Sequence, residues 1–139
     1  MKANSLTALA LSAMLFAACG GPLKYTPKSA DRAPGANIEI VADVQEKTSN
    51  TRLNVTTKFL PPPATLQEKA TTYVAWQRTN PDSVWMRVGA LTYDDKSREG
   101  VMKDVTVPET KFEFMITAEA VPNAPTPSAD VVVTQKVGK

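Results

Sequence analysis

The 139-residue sequence has no histidine and a single cysteine, Cys19. Without histidine there is no Ser-His-Asp or Cys-His catalysis and no imidazole-ligated zinc. One cysteine cannot close a disulfide within the chain or form a CxxC redox pair. An excess of one charge sign is missing too. The 16 basic residues face 14 acidic ones for a net +2, too little for a surface that tracks nucleic acid. The six glycines are scattered, so no glycine-rich loop cradles a phosphate. No apolar run reaches the ~20 residues a membrane-spanning helix needs. What is present suits one globular domain: 42% apolar and 22% charged residues, near the ordinary mix.

The N-terminal residues depart from that average. Lys2 supplies a positive start, Leu6 to Phe16 is apolar except for Thr7 and Ser12, and Ala17-Ala18-Cys19 follows. A basic start, a short apolar stretch and small residues are the pattern of a secretory signal. Leu15-Phe16-Ala17-Ala18-Cys19 resembles the bacterial lipobox, in which signal peptidase II cuts before a cysteine that carries diacylglycerol. The resemblance implies a lipoprotein signal peptide over residues 1–18, lipidation of Cys19, and a membrane as partner through that residue. A thiol otherwise free in an oxidising compartment suits acylation. Each buried methylene contributes ~0.8 kcal/mol, and stable anchoring takes more than one acyl chain. In enterobacterial lipoproteins an aspartate after the cysteine favours inner-membrane retention. Gly20 stands there, so the resemblance implies a lipid-anchored envelope protein at the outer membrane, facing the periplasm.

Residues 19–36, with Gly20, Gly21, Pro22, Pro27, Pro34 and Gly35, show no apolar period and read as the acylated cysteine and a flexible tether. From Asn37 to Lys139 the period is two. Ile38, Ile40, Ala42 and Val44 alternate with Glu39, Asp43 and other exposed-type positions, and Leu53, Val55, Thr57 and Phe59 alternate with Arg52, Asn54, Thr56 and Lys58. Such alternation marks strands with one buried face. Further runs are Thr72–Gln77, Val84–Tyr93, Val101–Val107, Phe112–Ala120 and Val131–Val137. Only Thr65 to Lys69 suits a helical turn. Thr48-Ser49-Asn50, Pro61-Pro62-Pro63, Asn80-Pro81-Asp82, Asp94 to Gly100 and Pro122 to Pro127 separate the runs. Together they predict an all-β domain over 37–139, a seven-stranded antiparallel sandwich of immunoglobulin-like type, with a small closed barrel as the alternative. Trp76, Phe112, Phe114 and Ile116 are the leading core candidates.

Tyr73-Val74-Ala75-Trp76 followed by Val88-Gly89-Ala90-Leu91, and Phe114-Met115-Ile116-Thr117-Ala118-Glu119 followed by prolines and Val131-Val132-Val133, resemble the extracytoplasmic domain of anti-sigma-K factors. The resemblance runs roughly from Thr72 to Val137. That family's sigma-binding helices and membrane-spanning helix have no counterpart here. The resemblance therefore implies an immunoglobulin-like periplasmic module and not anti-sigma activity.

Chemistry-bearing constellations are sparse. Asp94-Asp95, with Glu99 nearby, are a candidate calcium loop, but the EF-hand spacing is absent and Lys96 and Arg98 beside them suit a charged hairpin instead. Ser97 next to Lys96 lies in that same turn, where nothing builds an oxyanion hole. Glu39 and Asp43 fall on the outer face of a strand, where solvent keeps two carboxyl pKa values from being pushed apart. No catalytic, cofactor or metal residue is assigned, and no enzyme is expected. Trp85, Arg87 and Tyr93 are the candidate partner-binding residues, aromatics with an arginine being the usual anchors of protein contacts. Alternation alone leaves their facing open. The functional expectation is a non-enzymatic envelope lipoprotein whose sandwich is structural or binds an envelope protein. The alternative is a ligand-sensing regulatory module related to anti-sigma factors.

Overall fold

The structure, a computed structural model, describes residues 20–139. Nine strands form: β1 (Leu23–Tyr25), β2 (Asn37–Gln45), β3 (Asn50–Lys58), β4 (Thr72–Arg78), β5 (Met86–Ala90), β6 (Thr92–Asp94), β7 (Glu99–Val107), β8 (Phe112–Glu119) and β9 (Val131–Val137). One sheet has the order β1-β2-β3-β7-β6 and the other β5-β4-β8-β9. Every pairing is antiparallel. The domain is thus all-β and sandwich-like, with two separate sheets rather than a closed barrel.

Alternation becomes burial where it was strictest. Ile38, Ile40 and Ala42 of β2, and Leu53, Val55 and Thr57 of β3, are buried. They face Tyr73 and Ala75 of β4 and Phe112, Phe114, Ile116 and Ala118 of β8, which belong to the same main core cluster. β2 and β3 hold an unbroken register from Asn37↔Lys58 to Gln45↔Asn50 across one 3₁₀ turn, Glu46–Thr48.

Seven expected strands become nine for two local reasons. The run Val84–Tyr93 divides. β5 pairs with β4, then Leu91 turns inward with its amide on the Tyr73 carbonyl at 2.9 Å, and β6 joins β7 in the opposite sheet. The second addition, β1, falls inside the segment expected to be a tether. Leu23–Tyr25 pairs with Ile40–Ala42, and Lys28 bridges to Asn37. Ala30 donates its amide to the Val132 carbonyl at 2.7 Å, and Ala33 is fully buried. Arg32 meets Asp130 at 2.9 Å and donates to the Leu66 carbonyl. Residues 23–36 therefore run along the sandwich, from the β1 edge of one sheet to the β9 edge of the other.

β3 also stops one residue early. Phe59 takes a left-handed φ of 56° and points outward, 58% exposed, while Leu60 takes the buried place. Pro61 to Pro63 then lead into a single helical turn, α1 (Pro63–Leu66), with proline in its first turn where no amide is needed.

The registers sort the connections into two ends. One end carries Gly20 to Pro22, the β2–β3 turn, the β4–β5 connection, the β7–β8 turn and Gly138-Lys139. The other carries the β3–β4 connection, the β6–β7 hairpin and the β8–β9 loop.

Candidate functional site

β4 is buried on both faces from Tyr73 to Gln77. Tyr73 and Ala75 point between the sheets. Val74 and Trp76 point to the outer side, in a second cluster with Met115 and Ala124. What covers them is the β8–β9 loop at one end and Trp85 at the other. The loop is tied down by a polar chain. The Trp76 indole N–H donates to Thr117 Oγ1 at 2.8 Å, and the Thr117 hydroxyl donates to Glu119 Oε1. That carboxylate oxygen also accepts the Ser128 amide at 2.6 Å, and Ser128 Oγ donates to the Ala118 carbonyl at 2.7 Å. Glu119 is buried, so its lone pairs need these donors.

At the other end of that face, Arg78 organises a surface site. Its guanidinium pairs with Glu113 across the β4–β8 register and donates to the Pro81 carbonyl at 3.1 Å. It stacks on the Trp85 ring, 4.4 Å from the centroid. A shallow groove of about 390 Å³ lies here, lined by Arg78, Trp85, Glu113, Gln135 and Lys136. Beside it Val84 is 81% exposed and Met86 57% exposed. Arg87 is exposed on β5, an edge strand.

Trp85 lies just before β5 and Arg87 within it, whereas Tyr93 lies in β6 of the other sheet. Tyr93 packs edge-on against Tyr73 with ring centroids 5.4 Å apart, and its hydroxyl donates to the Leu60 carbonyl at 2.7 Å. Tyr73 donates its own hydroxyl to the Pro61 carbonyl. Burial first, then mutual proximity, pushes the Tyr73 phenol pKa well above its ordinary value of 10.0. Burial and the nearby Asp95 raise that of Tyr93. Both phenols are neutral donors that hold the Phe59 to Pro61 corner. Cys19 lies outside the described residues.

The β6–β7 turn carboxylate has a structural role. Asp94 Oδ1 accepts the Lys96 amide at 2.8 Å and the Ser97 amide at 3.4 Å, closing the hairpin turn. Among the described residues no three acidic or cysteine side chains cluster as a metal site. A larger open groove of about 760 Å³ lies between residues 26–39 and β3, with Lys28, Glu39 and Lys58 on its walls. Glu39 is engaged by Lys24 at 3.1 Å.

Sequence reasoning did not single out Arg78, Glu113 or Ser128. Glu119 appeared only within a motif, without a role. The available signal was the Thr117-Ala118-Glu119 spacing, which puts a hydroxyl and a carboxylate on the same face of a strand. No protein-family model matches the chain, and no curated protein or solved structure matches it. The geometry offers two kinds of surface: a tied-down outer sheet face with an arginine–tryptophan stack, and loop ends with exposed apolar side chains.

Proposed function

We propose that the chain is a lipid-anchored envelope protein, acylated at Cys19, whose β-sandwich has a structural or protein-binding role and no catalytic one. The observation that carries the reading is the order Lys2, apolar run, Leu15-Phe16-Ala17-Ala18-Cys19, with the first paired residue, Leu23, only four positions further on. A signal of that form supports an acyl anchor, and the early first strand keeps the domain close to it. By the same resemblance, Gly20 after the cysteine permits export to the outer membrane, facing the periplasm.

Strand order supports an immunoglobulin-like module. β2-β3-β7-β6 opposite β5-β4-β8-β9 follows the order A-B-E-D opposite C′-C-F-G. The tryptophan of β4 departs from that pattern by facing outward instead of into the inter-sheet core. The end remote from Gly20 presents Phe59 and, 47% exposed, Val121, and is the surface offered to an envelope protein partner.

Cys19→Ser tests the anchor. The wild-type protein is expected in the detergent phase of a cloud-point partition and the variant in the aqueous phase, with globomycin leaving the wild type as precursor. Equal partitioning of the two would remove the proposal.

A further inference from the structure

Three observations meet where the described chain begins. The first is the length of the leash. β1 starts at Leu23, so only Gly20, Gly21 and Pro22 separate Cys19 from a paired strand. The four Cα steps from Cys19 to Leu23 reach at most about 14 Å when fully extended. Position is the second observation. A Cβ on Gly20 would lie 2.7 Å from Lys139 Nζ, which puts the leash at the β1/β9 edge of the anchor end. The third is an apolar projection at that same end. Val84 of the β4–β5 connection and Met86 at the start of β5 are both exposed. β5 and β9 are the two edges of a four-stranded sheet, so this projection stands about 15 Å across the end from the leash.

We infer that the end of the sandwich bearing Gly20, Val84 and Met86 is a bilayer-contact surface, with the short leash at one side and the two apolar side chains in the interfacial layer at the other. This rests on acylation of Cys19. Leash length selects the occupant: a folded domain is about 30 Å across, so a ~14 Å leash leaves no room for a protein between this end and the headgroups. Charge does not supply the contact. The turns at this end set Glu46, Asp82 and Glu109 against Lys47, Lys111 and Lys139. Apolar burial at the headgroup–acyl boundary does supply it, and it does not weaken with salt as an electrostatic contact would.

The test uses the full acylated chain reconstituted into phosphatidylethanolamine–phosphatidylglycerol vesicles. Acylation leaves no free thiol, so Val84→Cys or Lys96→Cys supplies one labelling site, the second in the β6–β7 hairpin at the opposite end. Both positions are exposed, so neither label disturbs the core. A polarity-sensitive fluorophore at position 84 should be blue-shifted and lose most of its emission to nitroxide-bearing lipids. The same fluorophore at 96 should keep its emission. Asymmetry that persists at high salt and without phosphatidylglycerol supports apolar contact, and asymmetry that vanishes there overturns it. Equal behaviour of the two labels on vesicles that float with their protein overturns the contact and leaves the anchor standing. Protein that fails to float overturns both.

Discussion

Truncation of Trp76 to alanine is the most informative single change in the core. The indole is fully buried, yet it lies outside the inter-sheet core, in the cluster beneath the β8–β9 loop. An aromatic of this size buries about 200 Å². At about 25 cal/mol per Å² that is worth about 5 kcal/mol, and measured tryptophan-to-alanine losses run at about 3–5 kcal/mol. The N–H adds a second contribution, because Thr117 Oγ1 accepts it at 2.8 Å while serving Glu119. Trp76→Phe keeps most of the apolar volume and removes only that donor, at a cost of about 1–3 kcal/mol. Urea titration followed by circular dichroism measures both variants. Trp76→Ala should lose about 3–5 kcal/mol of a total stability of about 5–15 kcal/mol, and Trp76→Phe should fall between it and the wild type. Amide exchange at Ser128 should accelerate in both, since its partner Glu119 is held by the same chain of bonds. A loss below about 1 kcal/mol for Trp76→Ala would refute the claim that the loop seals a second apolar cluster.

Three further perturbations read other parts of the structure. Gly138 has φ of 112°, and a Cβ there would lie 2.5 Å from the Thr110 carbonyl oxygen; Gly138→Ala should cost about 1–3 kcal/mol in denaturant titration, and an unchanged midpoint would contradict that close approach. Phe59 holds a left-handed φ with its ring largely in solvent, so Phe59→Asn should raise stability by about 1 kcal/mol, whereas a comparable loss would mean that the ring packs. Tyr73 and Tyr93 have phenol pKa values raised above 10.0 in the folded protein, so the stability they contribute is complete below about pH 10 and declines as pH rises past the unfolded value; a Tyr73→Phe variant whose stability declines equally over that range would remove the attribution.

The sequence made the main core legible because alternation is strict in β3 and is interrupted in β2 only by Val41, which is half-buried on the outer face. Ile38, Ile40, Ala42, Leu53 and Val55 are buried as their period requires. β4 is harder to read. With Tyr73 to Gln77 buried on both faces, periodicity cannot say which face meets the other sheet. Trp76 was therefore legible as buried but not as the floor of an outer cluster. β1 was hidden because its pairing is with residues 40–42 and its composition is that of a linker. The split at Leu91 was hidden because a chain crossing between sheets keeps its strand-like residues throughout. Phe59 followed the period-two pattern and broke it only through its backbone conformation, which no neighbouring glycine or asparagine announces. Of the candidate residues, Trp85 lies in the Arg78 stack and Arg87 is exposed on β5, placements that alternation left open. Tyr93 was drawn away by a hydrogen bond to Leu60, a partner 33 positions distant.

The most direct measurement is the intact mass of the mature protein extracted from membranes. Acylation predicts a chain beginning at Cys19 and heavier than its residues by a diacylglyceryl group, with any amide-linked acyl chain in addition. A mass equal to that of the unmodified polypeptide, or a chain whose first residue is not Cys19, would contradict the account.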